Sequence, residues 1–144
     1  MRRRRPMEKT LFLDFDGVLH PSFAKEGAYF SHANRLAETI GNHSCEIVIS
    51  SSWRFSFELQ KLKEHLPSRL ARHIVATTGD AWIGPLARYN EILEYLRMNP
   101  CRDWRALDDS TFEFPAKCAE LIVCKGSRGL DSQVLALLEA WLRD

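Results

Sequence analysis

The sequence predicts an α/β domain: a doubly wound parallel sheet of about five strands with helices on both faces. Two observations carry this. Short apolar runs occur at residues 10–15, 46–50, 73–76, 104–107 and 121–124, and they are unbroken rather than alternating. Unbroken runs mark strands covered on both faces, as in a parallel sheet. Segments of helical periodicity lie between the runs, and strands alternating with helices wind into such a sheet.

The first run reads Leu11-Phe12-Leu13-Asp14-Phe15-Asp16-Gly17-Val18-Leu19. Residues i and i+2 of a strand point to one side, so Asp14 and Asp16 begin together and the turn at Gly17 lets them diverge. Burying two unpaired carboxylates is costly, so a divalent cation is expected beside them. A helix is predicted over 32–40, before a second strand that ends in Ser50-Ser51-Ser52-Trp53-Arg54. A second helix is predicted over 55–66, where Leu59, Leu62 and Leu66 share a face and Pro67 stops the pattern. The third strand runs into Ala76-Thr77-Thr78-Gly79. The next helix is expected to open at Gly84-Pro85 with proline in its first turn, continue through Leu86, Tyr89, Leu93 and Leu96, and stop before Asn99-Pro100. The fourth strand ends in Asp108-Asp109-Ser110, and after the fifth a last helix is capped by Asp131 and carries Val134, Leu137, Leu138 and Trp141.

Ligands of such sheets bind beyond the carboxyl ends of the strands. There the first and fourth strands bring acidic groups and the second brings hydroxyls, which together make a hard-cation site with hydroxyl donors beside it. A calcium loop is rejected, since Val18 and Lys25 stand where it needs acidic ligands. Asp109 reads either as a metal ligand or as a helix cap, and the serines also read as caps.

A chain of 144 residues is the size of one domain, and its 45% hydrophobic and 27% charged residues are those of a globular protein. Lys+Arg 20 against Asp+Glu 19 leaves a net charge of +1, which selects no partner. Residues 1–9 read as a basic tail and 10–144 as the domain. The run Arg2-Arg3-Arg4-Arg5 is either a solvated start or a contact for a polyanion. Cys45, Cys101, Cys118 and Cys124 have no C-x-x-C spacing, and a reducing cytoplasm is the simplest compartment. No apolar stretch reaches the ~18 residues of a membrane span, no secretory signal follows the basic start, and no obligate protein partner is evident.

These residues resemble the haloacid dehalogenase superfamily of phosphotransferases, whose sheet is Rossmann-like. The first motif matches Leu11 to Val18, the second Ile47-Val48-Ile49-Ser50-Ser51, and the fourth Leu107-Asp108-Asp109. The D-F-D-G-V-L-H-P and S-S-S-W-R stretches look most like the small branch found in bacterial RNA-repair proteins. The third motif departs: the family's lysine falls in Gly84-Pro85-Leu86-Ala87-Arg88-Tyr89-Asn90, where Arg88 is the candidate cation.

The resemblance implies that Asp14 is a nucleophile forming an aspartyl-phosphate and Asp16 the general acid and base. It implies Mg²⁺ held by Asp14, the backbone carbonyl of Asp16 and Asp108, with Asp109 as a further candidate. Ser50 and Ser51 compete to hold the phosphoryl group together with Arg88; Ser51 is preferred because related sequences carry threonine there. Gly17, His20, Trp53 and Arg54 are candidate substrate contacts, although His20 reads equally as a turn residue and Trp53 as core packing.

The expected activity is phosphomonoester hydrolysis on a nucleotide or nucleic-acid end. The alternative is a non-catalytic binding module that keeps the fold and metal site, for which the arginine-for-lysine change argues. The spans from Asp16 to Ser50 and from Ser51 to Arg88 are too short for a cap domain, so the segment 21–31, with Phe23, Tyr29 and Phe30, is the expected local cover. A phospho-accepting receiver domain is set aside because its third strand would end in the acceptor, and here it ends in Ala76-Thr77-Thr78-Gly79.

Overall fold

The computed structural model describes residues 9–144. Strands β1 (Lys9–Leu13), β2 (Glu46–Ile49), β3 (Ile74–Thr77), β4 (Asp103–Asp108) and β5 (Leu121–Val123) form one parallel sheet in the order β3-β2-β1-β4-β5. This is the predicted doubly wound architecture, with no cap domain. The strand order reverses between β1 and β4, so a crevice opens beyond their carboxyl ends.

The two faces are read directly from strand alternation. Leu11, Leu13, Ile47, Ile49 and Leu107 enter the larger core, beneath α1 (Ala33–Ile40), α2 (Leu59–Glu64), α3 (Ser68–Ala71) and α5 (Ser132–Arg143). Phe12, Val48 and Ala106 face the other way, onto Ile92 of α4 (Ala87–Met98) and onto Phe114. Phe12 is fully buried and meets Tyr95 and Trp104 edge to face at 5.7 and 5.8 Å. Each such side chain contributes roughly 1.5–3 kcal/mol by leaving water.

The amino end of the sheet is tied to the last helix by Lys9. Its Nζ donates to the carbonyls of Trp141 (2.6 Å), Leu142 (3.1 Å) and Asp144 (2.7 Å). A helix leaves its final carbonyls without intrahelical partners and carries partial negative charge there, so a buried ammonium satisfies both needs. Trp141 Nε1 in turn donates to Asp103 Oδ2 at 2.9 Å, joining α5 to β4.

The helices differ from expectation in two places. In place of one helix over 55–66, Ser51 Oγ accepts the Trp53 N–H and starts a 3₁₀ turn at Ser52–Phe55; α2 follows after a break and α3 opens past Pro67. Leu62, Leu66 and Leu70 keep one apolar face across that interruption. Helix α4 starts at Ala87, preceded by Leu86 in the left-handed region (φ 56°), so Pro85 lies outside the first turn. Asp131 caps α5 as predicted, accepting from Val134 N at 2.9 Å.

The arginine run and the rest of residues 1–8 lie outside the described residues, whereas Lys9 belongs to β1. Cys45 and Cys124 are buried in the larger core, and burial pushes the Cys45 thiol up to about 12. No helix among the described residues is long and apolar enough to cross a membrane.

Replacing Lys9 by Met keeps the apolar stem and removes three hydrogen bonds to α5. It is expected to lower stability by about 2 kcal/mol, read as a reduced urea midpoint at unchanged slope.

Candidate active site

The site is built on one row of the sheet. Leu13 pairs with Ile49 and with Leu107, and Ile49 pairs with Thr77. The ladder continues one residue further, through Asp14 N to Leu107 O (3.1 Å), Ser50 N to Leu13 O (3.0 Å) and Thr78 N to Ile49 O (2.9 Å). Thr78, Ser50, Asp14 and Asp108 therefore stand side by side at the carboxyl ends of β3, β2, β1 and β4. Their predecessors Leu13, Ile49 and Leu107 point into the larger core, so alternation turns this row toward α4. There Arg88 Nη1 lies 2.6 Å from Asp108 Oδ2 and 3.5 Å from Asp14 Oδ1.

The two aspartates of the first motif part at the turn. Asp14 is buried, its Oδ1 accepting from Phe15 N at 2.8 Å, and its carboxylate joins Asp108 and Asp109 in a cluster whose ligand oxygens lie within 4.8 Å of one another. Asp16 looks the other way, with its side chain 48% exposed. Its Oδ1 is 2.7 Å from His20 Nε2, and its Oδ2 accepts from Trp53 Nε1 at 3.1 Å. The tautomer of His20 follows from its other nitrogen: the Phe30 N–H donates to Nδ1 at 3.1 Å, so Nδ1 is the acceptor and Nε2 carries the proton toward Asp16. His20 and Trp53 thus act on Asp16, and His20 is fully buried.

The segment 21–31 is packed down by these same rings. Phe30 meets Phe15, His20 and Trp53 edge to face, and Tyr29 lies 4.9 Å from the His20 ring. Phe23 projects outward, 95% exposed. Gly17 makes the turn possible in two ways. Its φ is +79°, and a Cβ there would collide with the Asp109 carboxylate, so only glycine lets the loops after β1 and β4 touch. Asp109 Oδ2 also lies 3.2 Å from Ser22 Oγ, which donates to it, and the Asp109 carboxylate belongs to the acidic cluster; Ser110 is the residue that precedes the following 3₁₀ turn.

Burial holds the Asp14 carboxyl well above the ordinary range; the neighbouring Asp108 charge adds to this and Arg88 opposes it. Burial raises Asp108 likewise. Arg88 keeps its proton more firmly than usual because Asp108 and Asp14 outweigh the effect of its burial. Three carboxylates with one adjoining guanidinium leave negative charge uncompensated, and their all-oxygen donor set suits a hard cation such as Mg²⁺.

The second motif separates its serines. Ser51 Oγ accepts from Trp53 N at 3.2 Å, whereas Ser50 Oγ, on the row of Asp14, is buried with no partner among the described residues. Arg54 faces inward. Nε donates to Gly79 O (3.0 Å), Nη1 to Ser50 O (3.0 Å) and Ser51 O (3.1 Å), and Nη2 meets Glu91 Oε1 at 2.9 Å. It clamps the ends of β2 and β3, and its guanidinium is spent on these partners.

Glu91 escaped the sequence reading. It is buried, joins Arg54 to Arg88 (Oε1 to Nε, 3.7 Å), and accepts from Trp82 N at 3.0 Å through Oε2. The available signal was its place one helical turn after Arg88, a spacing that pairs side chains on one face.

Residues 10–135 match the family described as the HAD domain in Swiss Army Knife RNA repair proteins. No curated protein and no solved structure matches the chain.

The raised Asp14 carboxyl fixes a sign. A carboxyl that holds its proton more tightly in the folded state contributes stability below its unfolded value, and that contribution is lost as pH rises through the folded value. In metal-free protein at neutral pH, Asp14→Asn is therefore expected to raise Tm and flatten this loss, measured by thermal denaturation across pH in EDTA. Glu91→Ala, which strips a buried anion from two arginines, is expected to cost about 3–5 kcal/mol by denaturant titration.

Proposed function

Since the chain belongs to the HAD domain family of Swiss Army Knife RNA repair proteins, we propose that it is a Mg²⁺-dependent phosphomonoester hydrolase working through an aspartyl-phosphate on Asp14. The observation that carries this reading is the divergence of the two first-motif carboxylates. Asp14 turns into an acidic cluster beside Arg88, while Asp16 stands half-exposed with a donor on each oxygen.

Asp14 attacks phosphorus, and the bond to the leaving oxygen breaks as Asp16 delivers its proton there. Asp16 then takes a proton from water, whose oxygen attacks the phosphorus of the acyl phosphate; inorganic phosphate leaves and the Asp14 carboxylate is restored. His20 and Trp53 are positioning residues, which hold both oxygens of Asp16 and so fix where that proton is given and taken. The unpartnered hydroxyl of Ser50 donates to a phosphoryl oxygen, a role for which it is better placed than Ser51. Arg88 supplies positive charge beside Asp14, with its guanidinium steadied by Glu91.

Asp14, Asp108 and Asp109 would hold Mg²⁺, with the Asp16 carbonyl as a further ligand. When bound, the ion offsets the repulsion between a carboxylate nucleophile and an anionic substrate. The family's association with RNA repair supports a nucleotide or nucleic-acid phosphate as substrate. Four unpaired cysteines, two of them buried, fit a compartment that keeps thiols reduced, such as the cytoplasm.

Turnover of p-nitrophenyl phosphate is expected with Mg²⁺, to be lost in EDTA and to fall to background in Asp14→Asn. Trp53→Phe, which removes one donor to Asp16, is expected to lower kcat about tenfold at little-changed KM. Full activity of Asp14→Asn would overturn the mechanism. Metal binding without turnover of any phosphate ester would identify a binding module instead.

A further inference from the structure

The loops at the carboxyl end of the sheet carry exposed apolar side chains that neither core uses. Phe23, Ile83 and Phe112 are 95%, 96% and 80% exposed, and they come from three separate loops, after β1, β3 and β4. Each is anchored close to the acidic site by a near neighbour in sequence. Ser22, next to Phe23, donates to Asp109; Trp82, next to Ile83, donates to Glu91; and Ser110, two residues before Phe112, donates to Asp108. The loop after β2 adds Phe55, also exposed, whose ring lies 4.1 Å from the Arg54 guanidinium.

The loop after β5 is of a different character. It presents exposed Lys125 and Arg128, and it is joined to the flap through Ser22, whose backbone N–H donates to Gly126 O at 2.8 Å. Lys25 is exposed on the flap itself. One part of the rim is therefore apolar and largely aromatic, and the adjoining loop after β5 is basic through Lys125 and Arg128, while Glu26 on the flap and Asp80 before Ile83 are exposed acidic groups on these loops.

We infer that this rim is a platform for single-stranded nucleic acid, with unpaired bases next to the terminal phosphate stacking on Phe23 and Phe112 and making apolar contact with Ile83 while the backbone phosphates run past Lys125 and Arg128. The inference rests on the phosphatase reading, since it is the phosphate held at Asp14 that delivers the adjoining nucleotides to these loops. Two exposed aromatic faces and an exposed aliphatic side chain beside cationic groups suit a strand whose bases are splayed and whose backbone is anionic. A duplex end hides its base faces in stacking and leaves such a platform unused.

The test compares substrates on wild type and on the triple variant Phe23→Ser, Ile83→Ser, Phe112→Ser, whose altered side chains are all solvent-exposed. Wild type is expected to hydrolyse a terminally phosphorylated single-stranded oligonucleotide with kcat/KM at least about tenfold above that for p-nitrophenyl phosphate or for a blunt duplex. The triple variant is expected to lose that surplus while keeping the p-nitrophenyl phosphate rate within about twofold, and Lys125→Glu with Arg128→Glu to flatten the salt dependence of oligonucleotide turnover.

A triple variant that handles the oligonucleotide like wild type overturns the inference, as does a preference of wild type for a phosphopeptide. Absence of p-nitrophenyl phosphate turnover would count against the hydrolase reading alone. Fluorescence anisotropy with a labelled oligonucleotide then decides the platform: binding by wild type that is lost in the triple variant upholds it, and absence of binding by wild type overturns it.

Discussion

The constraint on which the rest of this structure depends is the burial of two carboxylates, Asp14 and Asp108, on one row at the point where the strand order reverses. An ionised carboxylate taken out of water is expensive unless countercharge and hydrogen bonds replace what it loses. Arg88 is drawn to the pair, yet a guanidinium placed there is itself largely buried and needs its own partner. Glu91 answers that need and is shared with Arg54, which spends its remaining donors on carbonyls at the ends of β2 and β3. A cost incurred at the ends of β1 and β4 thus organises the ends of β2 and β3 as well, and the charge left over is the reason a divalent cation fits.

The second organising element is the turn that separates Asp16 from Asp14. Gly17 lets the chain leave the sheet at a positive φ while touching Asp109, and the chain then returns so that His20 reaches Asp16, which Trp53 meets from the 3₁₀ turn after β2. His20 has a single tautomer compatible with its surroundings because a backbone N–H occupies Nδ1. The aromatic cluster of Phe15, Tyr29, Phe30 and Trp53 therefore has two structural consequences. It closes the flap over the larger core and fixes the donors that orient a half-exposed carboxylate.

Much of this was legible from residue order. The unbroken apolar runs marked the strands, and the acidic residues and hydroxyls at their ends marked the crevice. Where the reading fell short, the deciding contacts were remote in sequence or too local for periodicity to show. The interruption between Ser52 and Glu58 arises from a serine hydroxyl that caps a tight turn, and the leucine pattern, which begins only at Leu59, carries no sign of it. From residue order Arg54 is a candidate substrate contact, and its partners Gly79 and Glu91 lie on other elements that the sequence does not link to it. Glu91 looked like an ordinary helix residue until α4 was laid against the sheet.

The sequence by itself determined the parallel α/β architecture, the position of the site at the ends of β1, β2 and β4, and the presence there of carboxylates, hydroxyls and a cation, since periodicity and strand-end chemistry are local properties. Only the tertiary structure decided how these groups are arranged. Sheet register put Ser50 rather than Ser51 on the row of Asp14, and the turns after β1 and β2 brought His20 and Trp53 to Asp16. The close approach of the loops after β1 and β4 turned Asp109 toward the acidic cluster. Register and loop contact join residues far apart along the chain, and a linear pattern carries no distance between them.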